Sequence, residues 1–294
     1  MNFIEVKSIL NKQKHRDEWF LTDYSMNPYS GCQINCAYCY TRGSKYGENM
    51  AATFSVKANA AELLRKQLRR RAEKKQFGFI GLASATDPYP PIEERTQLTR
   101  ELLRIVLEFR FPLALSTKST LVLRDLDLLT EIDRIAVVPD DLRNRVGHGV
   151  IVMTSLSTLD PADAAVLEPG AASPADRLNC IRRCVENRLF AGVAFMPLLP
   201  FLSDSEQHLE SMIKVARDCG ARFVFVSGLT LFGNGTAGSK TLYSRFLSHR
   251  HPELVERILK MFGRSPFPSR EYSAKLDRMA RNLCSKNSVR YRID

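Results

Sequence analysis

Short, continuous apolar runs recur through the middle of the chain, separated by polar and amphipathic stretches. They fall at residues 77–83, 113–117, 150–156, 191–196 and 223–229. Continuous rather than alternating hydrophobicity is the pattern of parallel strands covered on both faces. The stretches between them read as helices. Residues 60–73 bring Leu63, Leu64 and Leu68 near one stripe, and residues 96–109 do the same with Leu102, Leu103, Val106 and Leu107. Ser173 followed by Pro174 is an N-cap with proline in the first helical position, opening a helix that runs to about Asn187. Asp204 or Ser205 caps a further helix, which Gly220 ends. This alternation predicts an α/β fold with a parallel sheet.

Three segments divide the chain. Residues 1–23 are polar and predict an irregular arm; residues 24–232 carry the alternation; residues 233–294 change character. The last segment opens with Gly233-Asn-Gly-Thr-Ala-Gly-Ser239. Two basic amphipathic helical stretches follow, at 242–262, broken at Pro252, and at 272–284. Residues 134–149, with Pro139-Asp-Asp and Gly147-His-Gly, read as a polar loop interrupting the pattern.

The 294 residues are enough for one large core or two modest ones, and 44% hydrophobic with 26% charged residues is ordinary for a soluble globular chain. No run approaches the ~20 apolar residues of a membrane span. The start, Met-Asn-Phe-Ile-Glu-Val-Lys, has no apolar signal core. With free thiols and no such signal, the expected compartment is a reducing cytoplasm. The net charge of +11 is uneven: residues 65–75 carry +6 and residues 240–294 carry +8, leaving the remainder slightly acidic. Two basic zones suit a polyanion such as a nucleic acid, although 65–75 also reads as the solvated face of a helix.

The chemistry concentrates in Gly31-Cys-Gln-Ile-Asn-Cys-Ala-Tyr-Cys-Tyr40, where Cys32, Cys36 and Cys39 are spaced Cys-x3-Cys-x2-Cys. Thiolates this close on a loop converge on a soft metal centre. A four-iron cube normally takes four thiolates. Three leave one iron open, and an open iron implies chemistry at the cluster. A structural zinc site wants four ligands, usually in two pairs. The chain offers no second close Cys pair in a loop and no His within ten residues of these cysteines. An odd number of thiols also argues against a disulfide framework. Cys180 and Cys184 share a helix face at i, i+4, and with Cys219 and Cys284 they read as core packing. The five histidines are scattered, and no nucleophile triad or phosphate-binding Gly loop is present.

The cysteine spacing, with Tyr38 and Tyr40 flanking the third thiol, resembles the radical S-adenosylmethionine (SAM) superfamily. The flanks resemble its spore photoproduct lyase-like branch, often labelled DNA repair photolyase-like. The resemblance continues through Phe54-Ser-Val-Lys-Ala-Asn-Ala60, Ala85-Thr-Asp-Pro-Tyr-Pro-Pro-Ile-Glu93, Ser116-Thr-Lys118, Ser155-Leu-Ser-Thr158 and Leu167-Glu-Pro169, covering roughly residues 24 to 232. It implies a partial (β/α)6 TIM-like barrel, here with a basic helical C-terminal extension, and a [4Fe-4S] cluster on the three cysteines. It implies reductive cleavage of SAM to a 5′-deoxyadenosyl radical that abstracts hydrogen from a substrate. An external one-electron reductant of flavodoxin or ferredoxin type follows.

By the same resemblance, Tyr38 packs on the adenine side of SAM. Lys118 and Ser155 meet its methionyl end, and Ser84 lies among the cofactor-binding positions. Asp87 and Tyr89, in a proline-stiffened loop, face the substrate, and Tyr40 is a candidate radical relay. Spore photoproduct lyase has a hydrogen-donating cysteine near this loop, where this chain has Ser84. An O–H bond is too strong to surrender hydrogen readily to a carbon radical, which argues against thymine-dimer repair by that route. The rival reading is a nucleic-acid-binding protein whose cluster is structural or redox-sensing.

Overall fold

The computed structural model describes residues 2–44 and 54–293. Its strands are β1 (Asn2–Ile4), β2 (Leu10–Lys12), β3 (Thr22–Met26), β4 (Tyr29–Ser30), β5 (Ser55–Lys57), β6 (Phe79–Leu82), β7 (Leu113–Thr117), β8 (Val150–Ser155), β9 (Phe190–Leu198), β10 (Phe223–Gly228) and β11 (Arg290–Tyr291). The helices are α1 (Ala60–Glu73), α2 (Glu93–Thr96), α3 (Leu98–Glu108), α4 (Leu126–Ile135), α5 (Asp140–Val146), α6 (Pro161–Leu167), α7 (Pro174–Glu186), α8 (Glu206–Asp218), α9 (Ser239–Arg250), α10 (Val255–Phe262) and α11 (Arg270–Lys286). None is long and apolar enough to cross a membrane, among the described residues.

The main sheet runs β11-β10-β9-β8-β7-β6-β3-β2. Strands β3 and β6–β10 pair in parallel in chain order, and each is followed by helix. This is the six-unit partial βα barrel that the resemblance implies. Strand β2 adds antiparallel to β3 at one edge, and β11 adds parallel to β10 at the other. One core lies between the sheet and its outer helices, holding Leu64, Leu102, Val106, Leu129, Ile181 and Ile213 with the strands' outward side chains. A second fills the strands' N-terminal ends with Phe79, Ile151, Phe190, Phe223 and Phe225.

The five apolar runs and the helices between them form where the pattern places them, within a few residues at each end. Ser173 and Ser205 accept the backbone N–H groups of Asp176 and His208, the caps that the sequence signals. The differences lie in the polar segments. Residues 134–149, expected as a loop, contain the end of α4 and all of α5. Leu142 and Val146 sit at i, i+4 and bury one face, and Gly147 ends the helix at φ 68°.

Residues 1–23, expected as an irregular arm, hold β1, β2 and the start of β3. The connection between β2 and β3 also closes the barrel's open flank. Its Trp19 stacks on Phe225 of β10 at 6.1 Å, and the Arg292 guanidinium lies 4.7 Å over the Trp19 ring. The two edges are thus bridged by side chains rather than by a strand ladder. At the far end, α11 packs on β10 and α8, while α9 and α10 pack on the cysteine loop.

Candidate active site

The C-terminal ends of the parallel strands surround a cavity of about 580 Å³. Loops at this end of a βα barrel converge on one space, which is where such folds place their chemistry. Cys32, Cys36 and Cys39 line it together, with Tyr38, Tyr40, Ser84, Asp87, Lys118 and Ser155. Of the site residues expected from sequence, Tyr89 alone does not line it. Its side chain is wholly buried in the outer core, because the turn between Pro88 and Pro90 aims it away from the strand ends. Tyr89, expected to face the substrate, therefore lies outside the lining, among the outer-core side chains.

The cysteine loop is held from several sides. The backbone N–H of Ala37 donates to the Leu167 carbonyl at 2.8 Å, and that of Gly170 to the Ile34 carbonyl at 3.0 Å. Arg42, itself buried, donates from Nε to the Cys36 carbonyl at 2.9 Å and also bonds Asn35. Gly170 is required for this approach: a Cβ there would lie 2.4 Å from the Gln33 carbonyl oxygen. Gly170→Ala is expected to push the loop away, so that reconstituted protein retains less than half the wild-type iron while its far-UV circular dichroism is unchanged. Full iron retention would show that the loop does not need this contact.

All three cysteines are free thiols. Burial pushes the Cys32 thiol up to about 11 and the Cys36 thiol higher still. A bound metal inverts that order, since a coordinated thiol is deprotonated outright. Among the described residues, no three His, Cys, Asp or Glu side chains close round a single ion. A cube spreads its thiolates over three irons and needs no such closure. The donor set of three soft thiols opening on one cavity fits a cluster with a free iron.

The wall beside the thiols carries the charge. Lys118 Nζ donates to Ser155 Oγ at 2.5 Å, and Ser155 Oγ in turn donates to the Met196 carbonyl at 2.8 Å. The Tyr38 ring lies 5.9 Å from Lys118 Nζ, and its hydroxyl donates to the buried Glu168. Asp87 accepts three hydrogen bonds: Oδ1 from the Tyr89 N–H at 2.8 Å and the Thr117 hydroxyl at 2.7 Å, and Oδ2 from the Lys118 N–H at 2.8 Å. Burial nonetheless raises its carboxyl above the usual range. These three bonds tie Asp87 to the loop after β6 and to the end of β7, while its side chain still lines the cavity. Tyr40 is half exposed and donates to the Ser84 carbonyl at 2.6 Å, tying the cysteine loop to the loop after β6.

Two residues behind this wall are given no role by the sequence. Glu168 and Arg177 each lie inside a block that carries the family resemblance, Leu167-Glu-Pro169 and Ala172-Ser-Pro-Ala-Asp-Arg-Leu178. The structure buries both beneath the cavity as an ion pair with N···O of 2.5 Å. Burial alone would raise the Glu168 carboxyl, but Lys118, Arg177 and the Tyr38 hydrogen bond together hold it below the usual carboxylate range. Lys118 is the single Lys or Arg among the lining residues described. The other four cysteines lie in the outer core, as expected.

The Radical SAM superfamily profile matches residues 26–213, so the chain belongs to that superfamily. It is a radical SAM enzyme, and its cofactors are the superfamily's [4Fe-4S] cluster and SAM. It is 31% identical to an uncharacterized protein of Mycobacterium tuberculosis over 90% of this chain and 74% of the other. It is 25% identical to a radical SAM Nα-GlyT isomerase of Pseudomonas phage M6, over 80% of this chain and 42% of that one. In fold it matches a mutant spore photoproduct lyase bound to AdoMet and dinucleoside spore photoproduct. The TM-score is 0.67 at 15% identity, over 99% of this chain and 81% of the other.

Proposed function

We propose that Cys32, Cys36 and Cys39 hold the cluster and that the adjoining wall of the cavity holds SAM for hydrogen abstraction. The observation that carries this reading is the convergence of the three thiols with Tyr38, Lys118 and Ser155 on one cavity. When bound, the cofactors supply a carbon radical after one electron arrives from an external donor of flavodoxin or ferredoxin type. The chain's part is to place them. Lys118, fixed by Ser155, meets the methionyl carboxylate, and Tyr38 backs the adenine side. Thr22, Ser116, Ser227 and Thr230 offer hydroxyls to a polar, uncharged part of the substrate. Beyond the three loop cysteines, the lining residues described include no thiol to quench a product radical. Ser84 does not replace one, so Tyr40 is the reading for a relay at the mouth.

Anaerobic reconstitution with iron and sulfide, reduction, and an assay of 5′-deoxyadenosine formed from SAM test this reading. Product is expected from the reconstituted protein. A stable, reducible cluster that yields none, even with candidate substrates present, would leave it a structural or sensing group.

Nucleic acid is the substrate class that the rim supports best. The loop from Gly263 to Ser269 borders the mouth: Leu231 donates to the Pro266 carbonyl at 2.9 Å, and the Phe267 ring meets Phe232 at 5.7 Å. It presents Phe267, 54% exposed, between the exposed Arg264 and Arg270. Aromatic faces for bases set among cations for phosphates are the elements of a single-strand platform. The dinucleoside in the spore photoproduct lyase structure is in keeping with this. Single-stranded DNA is expected to bind with strong salt dependence. Arg264→Glu with Arg270→Glu is expected to lower the slope of log K against log[salt] by about 1.4, at ~0.7 per phosphate contact. Salt-insensitive or absent binding would remove nucleic acid while leaving the radical chemistry standing.

A further inference from the structure

Glu168 has more partners than an ion pair needs. Arg177 Nη2 meets Oε2 at 2.5 Å, which by itself would satisfy a buried carboxylate's charge. The opposite oxygen, Oε1, accepts from the Ser157 hydroxyl at 3.0 Å and from the Tyr38 hydroxyl, and lies 3.6 Å from Lys118 Nζ. These donors come from separate parts of the chain: the cysteine loop, the ends of β7 and β8, and α7. Arg177 closes the ring, because its Nη1 donates to the Ser155 carbonyl at 2.6 Å while the Ser155 hydroxyl accepts from Lys118.

Arg177 and Glu168 cancel each other below the wall. The wall's other carboxyl, Asp87, is taken up by the Tyr89 N–H, the Thr117 hydroxyl and the Lys118 N–H. The ammonium of Lys118 therefore faces the cavity without a close carboxylate partner there. At 3.6 Å from Oε1, Lys118 is steered by the carboxylate without being fully paired to it. A flexible side chain with three rotatable donors gains affinity for a planar anion only when something else fixes it.

We propose that Glu168 is a positioning residue for SAM, whose carboxylate, neutralised by Arg177, holds Lys118 and Tyr38 at the cavity wall. This rests on the reading of Lys118 as a cofactor contact. The test is a double-mutant cycle read by equilibrium binding of SAM to the cluster-loaded, unreduced protein. Lys118→Met and Glu168→Gln are each expected to weaken binding about tenfold. The double variant is expected to bind no worse than the weaker single one, because Glu168 acts through Lys118. Losses that multiply in the double variant, or a Glu168→Gln protein that binds as wild type, overturn the proposal. Lys118→Met binding as wild type overturns the cofactor contact itself, a separate failure. Glu168→Asp keeps the charge against Arg177, and with it the fold, but withdraws the carboxylate from Lys118. It is expected to bind more tightly than Glu168→Gln, with the same non-multiplying behaviour, and multiplying losses in it overturn the proposal even if the Gln variant does not fold.

Discussion

Arg177→Met is expected to lower the unfolding free energy by about 3–5 kcal/mol at neutral pH, the usual cost of leaving a buried charge without its partner. Arg177 and Glu168 have side-chain exposures of 1% and 0%, so water cannot take the lost partner's place. Lys118, 3.6 Å away, offsets part of the loss and keeps it within that range. The pH dependence separates this from ordinary loss of packing. In the wild type the Glu168 carboxyl is held below the usual range. A depressed folded pKa contributes stability that is full above the unfolded value of about 4.3 and is lost as pH falls through the folded value. Burial is already the largest single influence on Glu168, opposed by Lys118, Arg177 and Tyr38 together; with both the charge and the hydrogen bond of Arg177 gone, the folded pKa is expected to rise above the unfolded one. The sign then reverses: stability falls as pH rises, because the native state now holds the extra proton. The difference between variant and wild type should shrink from pH 7 toward pH 4 in urea unfolding. A difference that stays constant across that range would mean that the carboxylate is not charged in the wild type.

How much of this was legible in the sequence follows the physics of each element. Strands β6–β10 were readable because both of their faces are covered, so hydrophobicity is continuous over at least four residues. Strand β3 was not. Thr22-Asp-Tyr-Ser-Met has no continuous apolar run, since Tyr24 and Met26 face the outer core while Thr22 and Ser25, across a register shift, line the cavity. Its Asp23 looks like a turn residue, yet it accepts the Phe79 N–H at 3.1 Å and so fastens β3 to β6. The thiols were legible because their chemistry demands a fixed local spacing. Glu168 and Arg177 stood inside blocks of the family resemblance, but their pairing was not legible, because two residues nine apart on a loop and a helix carry no period that marks a buried ion pair. The place of Tyr89 was hidden for the opposite reason: a residue with a hydroxyl in a rigid loop reads as facing the substrate, and only the fold shows its side chain in the outer core. The tail's basic charge was visible as a sum. That Phe267 stands between two arginines beside the mouth depends on the turn joining α10 to α11.

Cys36→Ala is expected to abolish 5′-deoxyadenosine formation, while Cys184→Ala leaves it unchanged. Both residues are buried free thiols, and for both burial pushes the thiol upward, Cys184 to about 12. Bulk exposure therefore does not tell them apart. Surroundings do. Cys36 opens on the cavity between Cys32 and Cys39, on a loop anchored by Arg42 and the stretch 167–170. Cys184 sits inside α7 with apolar neighbours in the outer core, where no third ligand approaches among the described residues. Removing a thiolate from a three-thiolate cube exposes a second iron and costs the cluster, so the iron content and visible absorbance of Cys36→Ala should fall to the level of unreconstituted protein. Removing the Cys184 sulfur leaves a small void worth about 1 kcal/mol of stability, with the cluster intact. Quantifying iron, absorbance and 5′-deoxyadenosine side by side in the two variants checks both halves. A Cys184→Ala protein that loses iron would point to a second cluster on α7, and a Cys36→Ala protein that still cleaves SAM would place the open iron elsewhere.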